Sequence, residues 1–177
     1  MSIEPNQGKP GQGGEPVIER ATPEDYQEIA RIVLSSYRAT VGETLDSGYA
    51  AYLERVEERA DAATLLVARA GGKVVGTVTF VPDSSSPMAE ELRQDEAGMR
   101  ILAVDIAAQG KGYGKALTLA CVDLARASGK KALFLHTTEL MRTAQSMYAS
   151  TGFQRVPERD WQVTPAILLL AFRMGLA

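Results

Sequence analysis

The sequence predicts an α+β protein with a mixed, largely antiparallel central sheet and helices on both faces. Three observations predict it. The elements run in the order β-α-α-β-β-β-α-β-α-β-β. Two strand-like runs in the first half are joined by Ala70-Gly71-Gly72, a hairpin signal. Later, an amphipathic helix crosses over between two further strand-like runs, which brings parallel pairing into the sheet.

Residues 16–20 form a short first strand. Thr22-Pro23-Glu24-Asp25 opens the first helix, with Thr as N-cap, Pro in the first turn and carboxylates near the positive end of the dipole. Tyr26, Ile29, Ala30, Val33, Leu34 and Tyr37 then recur on one helical face, a spacing that favours the core for Tyr37. Residues 38–46 are a loop. A second helix covers residues 47–60, with Tyr49, Tyr52, Leu53 and Val56 on its apolar side. The hairpin strands are residues 64–69 and 73–81, both rich in β-branched side chains. Residues 82–95 form a long polar loop, and residues 96–104 the next strand. Residues 116–128 are a helix closed by Gly129, and residues 131–135 a buried strand. The last helix covers residues 140–151, with Gly152 as its C-terminal cap. Residues 153–156 and 166–173 complete the strands.

A chain of 177 residues is long enough for one domain with a full core. That domain is expected over residues 16–177, behind a disordered tail of residues 1–15 that is polar and rich in Gly and Pro. The tail lacks the apolar centre of a secretory signal. A formal charge of −3 argues against a nucleic-acid partner, which calls for clustered Lys and Arg. No apolar run nears the ~20 residues that a membrane-spanning helix needs. One Cys rules out an internal disulfide, and one His offers too few ligands for a zinc site, so no metal is expected. Cys121 falls with Leu117 and Leu124 at helical spacing and reads as a small buried apolar residue. A reducing cytoplasm is the compartment these features fit.

The chemistry concentrates between the strand at residues 96–104 and the helix that follows. Gln109, Gly110, Lys111, Gly112, Tyr113, Gly114 and Lys115 form a glycine-rich turn running into a helix start. Glycine lets backbone approach a ligand closely, and free N–H groups at a helix N-terminus favour a phosphate. Two familiar cradles fail on spacing. A P-loop needs Gly four residues ahead of Gly-Lys-Ser/Thr, but Gln109 stands there and Ala116 follows Gly114-Lys115. A dinucleotide fingerprint needs a third Gly where Lys115 stands. What fits is Gln-x-x-Gly-x-Gly, read as Gln109, Gly112 and Gly114. This resembles the pyrophosphate-binding signature of the GNAT superfamily of acyl-CoA-dependent N-acyltransferases. A second segment agrees. Ala144, Tyr148, Gly152 and Phe153 match the family's late-helix pattern Asn-x-x-Ala-x-x-Leu-Tyr-x-x-x-Gly-Phe, with Met147 in place of Leu and Met141 in place of Asn. The element order is also that of the GNAT fold, over residues 16–173.

The resemblance implies acetyl-CoA as acyl donor, an amine as acceptor, and direct attack of the amine on the thioester. It implies a bulged strand splayed from its neighbour, with Ile101, Leu102, Ala103 and Val104 offering backbone groups to the pantetheine arm. An N–H near Val104 would polarise the thioester carbonyl. The N–H groups from Gly110 to Lys115 would hold the pyrophosphate, with Lys111 and Lys115 adding charge. The contact of the missing Asn would be lost or supplied by Thr137, Thr138 or Arg142.

Tyr148 is the candidate general acid, because a phenol of pKa near 10 is protonated at neutral pH and can donate to a thiolate. The family's base is often a Glu on the strand before the glycine turn. The matching position is Gly98, and Glu96 lies two residues earlier on the same strand face, so Glu96 is the candidate base beside a water relay. Asp83, Glu90, Glu91, Asp95 and Glu96 against a single Arg93 would make an acidic rim attractive to a cationic amine. Trp161 either walls the acceptor site or closes the core. A non-catalytic acyl-CoA-binding regulatory or interaction module on the same fold is the alternative function, and a nucleotide-binding enzyme a third. The apolar residues 166–171 would need cover from the core or from a second copy in a homodimer.

Overall fold

The computed structural model describes residues 15–42 and 45–177, so the expected tail lies outside the described residues except for Glu15. Eight strands form one sheet: β1 (Val17–Arg20), β2 (Thr64–Ala70), β3 (Lys73–Val81), β4 (Glu96–Val104), β5 (Ala132–Thr138), β6 (Gln154–Arg155), β7 (Trp161–Thr164) and β8 (Ile167–Gly175). Their spatial order is β1-β2-β3-β4-β5-β8-β6, with β7 paired to β8. Every pairing is antiparallel except β4 with β5, the pair bridged by the crossover helix.

The helices are α1 (Tyr26–Val41), α2 (Ser47–Glu54), α3 (Val56–Ala62), α4 (Tyr113–Ala127) and α5 (Arg142–Thr151). They cover both faces, as the predicted fold class requires. One core joins Leu117, Cys121 and Val122 of α4 and Tyr148 of α5 to Ala97, Met99, Leu133 and Leu135 of the sheet. The other joins Ile29, Ile32 and Val33 of α1, Leu53 and Val56 to Leu65, Val67, Ile101 and Ala103. Cys121 is fully buried, and burial pushes its thiol pKa up. It is core, not a nucleophile.

Several boundaries differ from the sequence reading. The first helix continues into the expected loop as far as Val41, where Gly42 at φ 60° ends it. The single second helix is two, broken at Arg55. The break has a local cause: Arg59 is buried, and its Nη1 donates to the Leu53 carbonyl at 2.7 Å and to the Tyr52 carbonyl at 3.4 Å. It thereby satisfies carbonyls that a continuing helix would have bonded. The crossover helix starts at Tyr113, three residues early, and the last helix at Arg142. The expected connection around Trp161 contains β7, which forms a hairpin with β8.

Candidate active site

β4 changes character midway. Thr77 of β3 pairs with Ala103 and Thr79 with Arg100, so Ile101 and Leu102 together oppose Val78 alone. This is a bulge. Ile101 takes φ 55°, a left-handed conformation that is an outlier for a β-branched residue. The bulge inverts the strand's alternation. Ala97 and Met99 pack toward α4, whereas Ile101 and Ala103 pack toward α1. Buried contacts of Ile101 in the α1 core hold the strained backbone in place.

The same strand parts from β5. Pairing runs through Glu96–Ala132, Ala97–Leu133 and Gly98–Phe134 and then stops, while β5 continues against β8 as far as Thr138–Leu169. From Met99 onward the β5-facing edge of β4 has no strand beside it. At the open end of β5 the Thr137 and Thr138 hydroxyls are buried without a hydrogen-bond partner among the described residues, a costly state for a polar group.

The glycine turn follows directly. Asp105 caps a single 3-10 turn, Ile106–Ala108, and its carboxylate meets Arg31 of α1 at 2.7 Å. The Gln109 amide donates to the Val104 carbonyl at 3.2 Å. Gly110 and Gly112 have φ 76° and 89°, values an L side chain resists. Gly112 is the N-cap of α4 and carries no capping side chain, so the first N–H groups of α4 are left for another acceptor. Lys111 and Lys115 are exposed and enter no ion pair among the described residues. Gly114 differs from its neighbours: its φ is ordinary, and a Cβ there would sit 3.7 Å from Val104 Cγ2, in normal contact.

Tyr148 lies beneath the gap on the α4–α5 side. It is 5% exposed, packs against Phe153 and Phe172, and has no hydrogen bond to its hydroxyl among the described residues. Burial, then the neighbouring Cys121, pushes its pKa well up, so the phenol stays protonated and has a proton to donate. Tyr37, on the opposite face of the sheet, is held high by burial first and then by Tyr49 and Tyr148.

Residues 26–153 match the family model described as Acetyltransferase (GNAT) family. The chain belongs to the GNAT acetyltransferase family. N-acetyltransferase 8 of Mus musculus is 36% identical over 92 residues, covering 52% of this chain and 39% of that protein. This GNAT chain thus spans well under half the length of that relative. An uncharacterized N-acetyltransferase of Escherichia coli (strain K12), YjgM, is 28% identical over 146 residues, covering 80% of this chain and 83% of its own length. Among solved structures, yncA from Salmonella typhimurium with its cofactor acetyl-CoA aligns with TM-score 0.64 at 22% identity. That alignment covers 93% of this chain and 95% of yncA.

Within this GNAT fold, the structure places Glu96 away from any proton-transfer role. It is fully buried. Arg159 donates to its two oxygens at 2.8 and 3.0 Å, Arg173 at 2.9 Å, and the Arg93 N–H at 3.1 Å. Burial works to raise its pKa, but the hydrogen bonds from Arg159, Arg93 and Arg173 outweigh it and hold the carboxyl below its ordinary value. A carboxylate so engaged has no lone pair open to an amine. The expectation of Glu96 as base is corrected: it locks Arg159 and Arg173 to the start of β4.

Near the Asn position, held here by Met141, a different side chain reaches β5. Gln145, one turn beyond Met141, donates from Nε2 to the Thr138 carbonyl at 2.9 Å and so ties α5 to the open end of β5. Its signal was present in the sequence, since Gln145 follows the matching Ala144 directly. Neither Thr137, Thr138 nor Arg142 makes this side-chain contact.

On the α1 side of the gap, Arg100 is the last residue before the bulge. It pairs with Glu90 at 3.3 Å and donates to the Met88 carbonyl at 3.1 Å. Tyr52 donates to Met88 Sδ at 3.4 Å and stacks on Tyr49, which tilts toward Tyr37 at 6.2 Å. Tyr49 is 39% exposed, so it lines this face instead of filling the core. Of the expected acidic rim, Glu96 serves two arginines, Glu90 pairs with Arg100 and Asp83 accepts from Ser85, while Glu91 and Asp95 are exposed. Trp161, also 39% exposed, tilts toward His136 at 6.4 Å. Among the described residues, no group of His, Cys, Asp and Glu could hold a metal ion, and no helix is long and apolar enough to cross a membrane.

Proposed function

We propose that this GNAT protein is an N-acetyltransferase that moves an acetyl group from acetyl-CoA to a primary amine of a small molecule, peptide or protein. One observation carries the reading: a bulged, unpaired strand edge runs directly into an uncapped helix start behind two left-handed glycines. The residues present suit an acyl-CoA. Backbone groups of Leu102, Ala103 and Val104 and the orphan hydroxyls of Thr137 and Thr138 would meet the amide-rich arm. N–H groups from Gly110 to Lys115 would meet the pyrophosphate, with Lys111 and Lys115 alongside. When bound, acetyl-CoA supplies an activated thioester. The chain orients it, offers N–H groups to the developing oxyanion, and holds the Tyr148 proton near the leaving sulfur.

Glu96 being engaged elsewhere favours a second reading, a non-catalytic acyl-CoA-binding module. Both readings predict binding, and turnover separates them. The first experiment is thermal unfolding with acetyl-CoA, CoA, longer acyl-CoAs and ATP. A ligand at about 100 times its Kd adds about 2.7 kcal/mol to folding stability. Stabilisation by the CoA series alone is expected; stabilisation by ATP alone would replace this reading with a nucleotide-binding one.

Exposed Trp161, Val163 and Ile167 on the β7–β8 hairpin support a homodimer through that hairpin, checked by sedimentation of wild type against Ile167→Lys. A cytoplasmic location agrees with the single buried thiol and is tested by fractionation.

A further inference from the structure

His136 is the chain's single histidine. It lies on β5 two residues past Phe134, whose pairing with Gly98 is the last between β4 and β5. It therefore stands where the strands part, and it lines the small cleft there with Met88, Glu90, Met99 and Arg100. Its alternation is opposite to that of Leu133 and Leu135, which pack with α4 and α5, so it faces away from Tyr148.

The ring is fixed from three sides. Phe134 meets it edge-on at 4.9 Å, and Trp161 lies tilted at 6.4 Å. Its Nε2 is 2.9 Å from the Arg159 carbonyl oxygen. A carbonyl only accepts, so Nε2 carries a proton, which leaves Nδ1 as the lone pair whenever the ring is neutral. Nδ1 has no hydrogen-bond partner among the described residues. Arg159 is itself immobilised: its guanidinium is held by both Glu96 oxygens, donates to the Glu91 carbonyl at 2.6 Å, and lies 3.6 Å from the Phe134 ring centroid. A carbonyl anchored in this way selects the tautomer.

The titratable groups around His136 are committed: Glu96 is enclosed by two arginines, Glu90 is paired with Arg100, and Asp160 is paired with Arg155. Resting on the acetyltransferase reading above, we propose that His136 Nδ1 is the general base for the acceptor amine. The amine nitrogen forms the new C–N bond with the acyl carbon, and Nδ1 takes the proton that nitrogen sheds. The C–S bond breaks with its electron pair on sulfur, which receives the Tyr148 hydroxyl proton. The imidazolium then returns its proton to Tyr148 through solvent. Nothing is oxidised or reduced. Base and acid face the gap from opposite sides of the sheet, so the amine and the thioester arm reach the reacting carbon without competing for space.

A single histidine makes the test direct, because long-range ¹H–¹⁵N spectra of the full chain contain one imidazole. The expected spectrum is the neutral Nε2–H tautomer; an Nδ1–H tautomer would overturn the proposal. CoA release from acetyl-CoA with a diamine, an amino acid and a peptide amine as acceptors gives the second readout. His136→Gln is expected to lower kcat by about 10² or more while the KM for acetyl-CoA stays within about threefold. A variant whose kcat is within threefold of an active wild type overturns the His136 assignment alone. A wild type that binds acetyl-CoA yet turns over none of the three amines overturns the acetyltransferase reading, and this inference with it.

Discussion

The Gln109 side chain donates to the Val104 carbonyl at 3.2 Å, joining the last residue of the bulged strand to the residue before the first left-handed glycine. One hydrogen bond thus links the strand edge to the glycine turn. Gln109→Ala removes a bond worth about 0.5–1.5 kcal/mol. Calorimetry should show acetyl-CoA binding weakened by up to about tenfold, and Tm lowered by about 2–4 °C.

Gly112 and Gly114 should separate fold from ligand. Gly112→Ala places a side chain at φ 89° and should cost about 1–2 kcal/mol of folding stability. Gly114→Ala meets ordinary contact only, so its Tm should stay near wild type while acetyl-CoA affinity falls. Equal affinity in Gly114→Ala and wild type would remove this glycine from the binding surface.

Tyr148→Phe deletes a hydroxyl that bonds to nothing among the described residues, so stability should hold. Steady-state kinetics should show kcat reduced by about 10²–10⁴ with the KM for acetyl-CoA little changed. An unchanged kcat would leave Tyr148 as packing between Phe153 and Phe172.

Glu96 governs an acid limb. Its folded pKa lies below the ordinary 4.5, so its contribution is present above that value and is lost as pH falls through the folded pKa. Asp25, Asp105 and Asp160 shift in the same direction and share the limb. Glu96→Gln leaves two buried or half-buried arginines short of a counter-charge, and should lower stability by about 3–5 kcal/mol at neutral pH. Denaturant midpoints between pH 3 and 7 should also fall less steeply in the variant than in wild type.

Features fixed by local backbone chemistry were legible in the sequence: the Gly71-Gly72 hairpin, the strand–turn–helix around Gly112, and the Gly152 cap at φ 114°. Features that depend on distant partners were not. The alternation of β4 correctly placed Glu96 on the face of Gly98, but nothing local announces arginines 63 and 77 residues away. His136 looked unremarkable for the same reason, since its orienting carbonyl is 23 residues downstream. The break at Arg55 hides in a continuous helical pattern because its cause is one buried arginine. β7 was readable in Gln162-Val163-Thr164 before Pro165, but the charged residues ahead of it masked the strand.

Three residue pairs are all that join β4 to β5. Mechanically the protein is two stiff leaves on a short spine: β1–β4 with α1–α3 on one side, β5–β8 with α5 on the other, and α4 laid across β2–β5. An occupant of the open margin would tie β4 to β5 beyond residues 96–98, where no strand pairing among the described residues does so. Occupancy at the glycine end should then slow amide exchange at Thr137 and Thr138, far from the phosphate contacts, without any shift in average structure.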